Sequence, residues 1–126
     1  MKNRIGLAVG LVALVTLGSC GGSDSAKPAA SIPVGALEID AGPGLKWGQS
    51  QYTAQAGEVT VAMVNRDSQL HSLVIVDGNK KTQGPELEVG KGGDVDTGTF
   101  TLAPGEYQIL CLVPGHNNMK ATLTVG

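Results

Sequence analysis

Residues 107–125 read Y-Q-I-L-C-L-V-P-G-H-N-N-M-K-A-T-L-T-V. Within nine residues this stretch sets a thiol, an imidazole and a thioether, those of Cys111, His116 and Met119. A strand-like run precedes them and another follows. Cys and His are strong ligands for soft or borderline metals, and Met is a weaker, soft one. Pro114-Gly115 and Asn117-Asn118 are turn formers able to hold such a loop in one shape. What the triplet lacks is one more nitrogen donor. The chain has two histidines, and the other, His71, lies in the strand-like run L-H-S-L-V-I-V.

Outward from this stretch the chain reads as short strands separated by turns. Residues 36–40 are expected as a strand ended by Ala-Gly-Pro-Gly, and 47–55 as a weaker, polar one. Residues 58–65 alternate, with Val59, Val61 and Met63 on one face, and 70–77 follow after N-R-D-S-Q. The segment 80–93 is rich in Gly and charge and carries at most a short strand at 86–89. Strands at 94–102, 106–112 and 120–125 complete the set. No segment has a helical period of useful length. Many strands with frequent turn signals predict an all-β sandwich or barrel of seven to eight strands.

Strand parity bears on the metal reading, because side chains two apart share a face. His71 falls with Leu73 and Ile75, and Cys111 with Tyr107 and Ile109, so both are expected to point inward. Trp47, Tyr52, Phe100 and Tyr107 are the only aromatic residues, which leaves a core of mainly Val, Leu, Ile and Met. Pro104-Gly105-Glu106-Tyr107 has the pattern of a tyrosine corner, in which the phenol bonds a backbone group across a turn. Tyr107 is therefore expected to be structural.

The start of the chain has a different character. Lys2 and Arg4 precede the apolar residues 5–17, which end in Leu17-Gly18-Ser19-Cys20. A membrane span needs about 20 apolar residues; this shorter run has the pattern of an exported precursor. The L-G-S-C ending resembles a bacterial lipobox, in which cleavage leaves the Cys at the new N-terminus to carry lipid. The expected organisation is a lipoprotein-type signal peptide over residues 1–19, a flexible tether over 20–33 and one domain over 34–126. The mature protein would be anchored through Cys20 to a bacterial membrane, facing the periplasm or the cell exterior. Removing Lys2 and Arg4 from the nine basic residues leaves seven against eleven acidic ones, a formal charge of −4. No Lys/Arg run is present, so nucleic acid is not an expected partner. With Cys20 acylated, Cys111 has no thiol to pair with in an oxidising compartment, a situation that metal ligation accounts for.

The segment P-G-E-Y-Q-I-L-C-L-V-P-G-H-N-N-M-K-A-T-L-T-V resembles the C-terminal signature of the cupredoxins, the plastocyanin, azurin and amicyanin family. L-H-S-L-V-I is similar to the segment that carries their first His ligand, and the likeness spans residues 34–126. The resemblance implies a Greek-key β-sandwich or barrel that holds one copper ion, as Cu(I) or Cu(II). Its ligands would be His71, Cys111, His116 and an axial Met119; two His, one Cys and one Met are the set of a blue-copper site. The spacing C-x4-H-x2-M departs from the family. Azurin-like proteins share the first gap but have a longer second one, and amicyanin-like proteins share the second but have a shorter first. Ser72 stands where many relatives have an Asn that ties the two ligand loops together. It must make that tie with a shorter hydroxyl or not at all.

The implied function is type 1 copper electron transfer. Single electrons would pass between redox partner proteins, such as a cytochrome c or a membrane oxidoreductase, through a monomeric carrier. The alternative is a copper buffer or delivery protein. Such proteins usually display exposed Met or His clusters, and this chain has two His and three Met, Met1 among them. Structural zinc favours more Cys and His and rarely takes Met. A dinuclear copper centre would need a second Cys close to Cys111. No catalytic triad or carboxylate dyad is apparent, and four filled ligand positions leave none open for substrate, so an enzyme is not expected. Glu86, Glu88, Asp94 and Asp96 form a candidate acidic docking face, a run that solvation explains equally well.

Overall fold

In the computed structural model, which describes residues 31–126, the two-residue alternation of the sequence becomes eight β-strands. One sheet holds β1 (Leu37–Ala41), β3 (Gly57–Asn65) and β6 (Val95–Leu102), in the order β1-β3-β6. The other holds β2 (Gln51–Ala54), β4 (His71–Val76), β5 (Thr82–Val89), β7 (Gly105–Leu110) and β8 (Lys120–Val125), in the order β2-β8-β7-β4-β5. No helix occurs among the described residues. The β1–β3 and β2–β8 pairs are parallel and the others antiparallel. Five of the seven connections pass from one sheet to the other, and only the β4–β5 and β7–β8 hairpins stay within a sheet. The expected all-β architecture is therefore present. The signal-peptide segment, Cys20 and the tether up to residue 30 lie outside the described residues.

The core lies between the sheets and is aliphatic apart from a few rings. Ile39, Val61 and Met63 face it from one sheet, and Leu73, Ile75, Ile109 and Leu123 from the other, with Phe100 fully buried among them. Burying a side chain of this size contributes roughly 1.5–3 kcal/mol. The Tyr107 hydroxyl donates to the Ala103 carbonyl at 2.9 Å, which makes the tyrosine corner that the sequence suggested.

Two regions differ from the sequence reading. Residues 47–55 do not form one strand. Residues 42–48 fold back on β1 through Gly42 N–H to Lys46 O and Gly48 N–H to Asp40 O, each 2.9 Å, and Trp47 joins Ala41 by a single bridge. Only Gln51–Ala54 pairs fully, against β8. The segment 80–93 instead contains a full eight-residue edge strand, β5. Its Gly84-Pro85 looks like a turn but serves a bulge, since the β4–β5 register shifts between Leu73 and Ile75. Bulges and prolines are both features of edge strands.

The poles of the sandwich have distinct roles. β1 runs from Leu37, beside Val61, to Ala41, beside Asn65 at the end of β3. The start of β4, the end of β7 and the start of β8 gather at that Asn65 end, whereas the chain enters at the Leu37 end. Four residue-to-residue steps of strand separate Leu37 from Ala41, roughly 13 Å.

Gly84 marks a close approach. It sits at φ +66°, and a Cβ there would lie 2.6 Å from Phe100 Cδ1. Gly84→Ala is expected to lower stability by about 1–3 kcal/mol through overpacking, measured as a fall in the urea midpoint. An unchanged midpoint would show that the ring moves aside freely.

Candidate metal centre

The β7–β8 hairpin brings Leu110 opposite Lys120. The next pair outward is Cys111 and Met119, joined by Cys111 N–H to Met119 O at 3.4 Å. Residues directly opposite in an antiparallel pair project to the same face. Cys111 continues the buried series of Tyr107 and Ile109, and Met119 begins that of Ala121, Leu123 and Val125. Met119, 1% exposed, is thus on the inward side with Cys111, 6% exposed. The unusual C-x4-H-x2-M spacing has a plain physical basis, since the seven residues between Cys111 and Met119 close the hairpin in register.

Two turns in series fill the loop between them. His116 N–H donates to Val113 O at 3.0 Å around Pro114 and Gly115, and Gly115 has φ +86°. Pro followed by a left-handed Gly is the type II arrangement. Met119 N–H then donates to His116 O at 2.9 Å around Asn117-Asn118. His116 is the corner that both turns share, and it is held against the domain with 9% of its surface exposed.

His71 arrives from the other side of β7. The β4–β7 register pairs Val74 with Leu110 and Ile75 with Ile109. Continued outward, it sets Ser72 opposite Leu112, where side-chain bonds take over from the ladder. Leu112 N–H donates to Ser72 Oγ at 2.9 Å, and Ser72 N–H points to Cys111 Sγ at 3.5 Å. Ser72 therefore does tie the two ligand loops, with its shorter hydroxyl.

These frames bring the donors of His71, Cys111 and His116 within 4.8 Å of one another. Cys111 Sγ lies 3.6 Å from His116 Nδ1, and the two imidazole centroids are 5.2 Å apart. Metal bonds of about 2.0 Å to nitrogen and 2.3 Å to sulfur, at an angle of about 115°, would separate such atoms by roughly 3.6 Å. The burial pattern fits as well. His71 is fully buried, its Nε2 is 2.9 Å from Asp67 Oδ1, and its Nδ1 has no hydrogen-bond partner among the described residues. A buried nitrogen without a partner is costly, and a bound cation removes that cost. The cluster, with Met119 alongside, fits one copper ion.

Asp67 had no place in the sequence reading. Its Oδ1 accepts from Gln69 N–H at 2.8 Å and meets the His71 ring, and its Oδ2 accepts from Gly44 N–H at 2.9 Å. Asn65 completes the loop, accepting from Asp67 N–H at 3.0 Å and donating to Gln69 O at 2.8 Å. Burial alone would raise the Asp67 pKa, but the Gln69 N–H, the His71 ring and the Gly44 N–H outweigh it and hold the pKa below its ordinary value. The only signal in the sequence was a carboxylate four residues before a histidine in a turn-forming segment. The acidic run has local uses too. Asp96 accepts from Glu88 N–H at 2.9 Å, and Asp94 accepts from Gly90 N–H at 3.2 Å and Lys91 N–H at 2.9 Å.

No protein-family model and no curated protein matches this sequence. Solved structures do. The chain is similar to a dithionite-reduced auracyanin from the photosynthetic bacterium Roseiflexus castenholzii, with 27% identity and a TM-score of 0.61 over 73% of this chain and 97% of that one. It is similar to auracyanin A of Chloroflexus aurantiacus, described as a "blue" copper protein, at 25% identity and a TM-score of 0.63 over 72% and 98%. A mutant amicyanin in its reduced state aligns at 27% identity and a TM-score of 0.58, over 78% and 89%.

Ser72→Ala removes the acceptor of the Leu112 N–H, a hydroxyl on a side chain that is buried. The expected cost is about 1–3 kcal/mol, read by chemical denaturation of the metal-free protein. No loss of stability would mean that the loops are held together by other contacts.

Proposed function

We propose that the chain is a cupredoxin, a reading its likeness to the auracyanins and amicyanin supports, and that it is a type 1 copper protein that carries single electrons. His71, Cys111, His116 and Met119 are its ligands in this reading. The observation that carries it is the set of three donors gathered within 4.8 Å, one of them a buried imidazole nitrogen with no hydrogen-bond partner among the described residues. Copper held by these residues would supply a one-electron couple whose two states both accept two His, one Cys and one Met.

The protein's share of the work is to keep that set still. His71 is held by Asp67, Cys111 by the hairpin register and Ser72, and His116 by two turns. With the donors fixed beforehand, little has to reorganise when an electron moves. The Ser72 N–H directed at Sγ favours the state with less positive charge on the site, as does exclusion of water. The same burial argues against a delivery protein, because a cargo ion would have to leave through donors that are 0–9% exposed.

Partner docking is proposed for the metal pole. Leu70 and Leu112 adjoin His71 and Cys111 in sequence, and Leu45 follows the Gly44 that Asp67 binds; all three are exposed large apolar residues. A redox protein such as a cytochrome c or a membrane oxidoreductase would meet this collar. The proposed lipid at Cys20 would attach through residues 20–33 at the opposite, Leu37 pole. A domain anchored to a bacterial membrane in that way presents its metal end outward.

Two experiments test these proposals. Titration with Cu(II) should saturate at one equivalent with an intense blue absorption band, and Cys111→Ser should abolish the band. The same band surviving in that variant would refute thiolate ligation. Mass spectrometry of protein extracted from bacterial membranes should find acyl chains on an N-terminal Cys20. A mature protein that begins elsewhere and carries no lipid would remove the anchor from the proposal.

A further inference from the structure

We infer that Asp67 is a positioning residue for the metal centre: its carboxylate fixes His71 with the proton on Nε2, so that a bare Nδ1 faces Cys111 and His116. The inference rests on the copper reading above and extends it to a residue outside the ligand set. An ionised carboxylate has no proton to give, so at 2.9 Å the ring nitrogen must be the donor. A neutral imidazole carries one proton, and placing it on Nε2 leaves Nδ1 with a free lone pair. That atom is the ring nitrogen that is buried and without a hydrogen-bond partner among the described residues. In the opposite tautomer, the N–H would point into the donor cluster while a ring lone pair faced a carboxylate.

The carboxylate is itself held in place. Gln69 N–H and Gly44 N–H fix one oxygen each, and a side chain at Gly42 would collide with it. Asp67 therefore links the 42–48 loop to His71, and orienting the ring requires no movement when metal arrives. A backbone carbonyl could also select the tautomer. A carboxylate adds a negative charge, which favours the more positive oxidation state. This opposes the Ser72 N–H on the Cys111 sulfur, which favours the less positive one. The two bonds, one at each end of segment 67–72, thus set the reduction potential by difference.

The tautomer is measurable without copper. Two-bond 1H–15N NMR of the metal-free native protein should show His71 protonated at Nε2 and bare at Nδ1; a proton on Nδ1 overturns the inference. In the copper-loaded protein, Asp67→Asn should raise the reduction potential by at least a threefold change in the one-electron equilibrium, about 28 mV. Asp67→Glu, which keeps the charge, should return most of that shift. A smaller change in the Asn variant, or an equal change in the Glu variant, reduces Asp67 to a loop brace and overturns its role at the metal. A variant that fails to fold or to load leaves the decision to the native tautomer. Failure of the copper reading itself would look different, as native protein that stays colourless with Cu(II) whatever the His71 tautomer.

Discussion

Pairing between β4 and β7 is the constraint on which the rest of the centre depends. Only three residue pairs are in register, Val74–Leu110, Ile75–Ile109 and Val76–Gln108. They lie beside the core, where unpaired backbone groups would be costly, so their alignment is strongly specified. One residue of slip would turn His71 toward the opposite face of the sheet. Beyond the Val74–Leu110 pair the ladder gives way to Ser72 and the thiol, and the place where that pairing stops is the place where the donors begin.

Much of this was legible in the sequence because it depends on local spacing. Cys111, His116 and Met119 occupy one loop, its turn residues are Pro, Gly and Asn, and the flanking runs alternate with a period of two. Counting that period back from Val125 through Leu123 and Ala121 also puts Met119 on the inward side, a parity argument stronger than any comparison of loop lengths. What was not legible depends on contacts between distant segments. Gly84-Pro85 reads as a turn unless β4 is known to need a bulge opposite it. Trp47 reads as strand because the folding-back of residues 42–48 leaves no periodic trace. Asp67 is one carboxylate among eleven acidic residues, and only its geometry to His71 and Gly44 distinguishes it.

The segment between β3 and β4 consequently belongs to the centre as fully as the C-terminal loop does. Asn65 shapes it, Asp67 and Gln69 lock it, and His71 and Ser72 face the thiol from its end. Its bonds are charged or buried, which makes them stronger than those of an ordinary connecting loop. Function here is divided unequally between two segments. In the proposed centre one supplies three donors, and the other supplies a single donor together with the groups that tune and orient it.

The clustering of three donors within nine residues also has a thermodynamic consequence. An unfolded chain keeps Cys111, His116 and Met119 as near neighbours, so the denatured ensemble retains a local chelate and loses only the long-range partner His71. Linkage rewards a folded protein only for the difference in affinity between its native and denatured states, and binding to the unfolded chain subtracts directly from it. A tightly held ion will therefore raise the melting temperature of this domain by less than its affinity alone would suggest. The fold has to stand on its aliphatic core, with the metal as passenger more than as keystone.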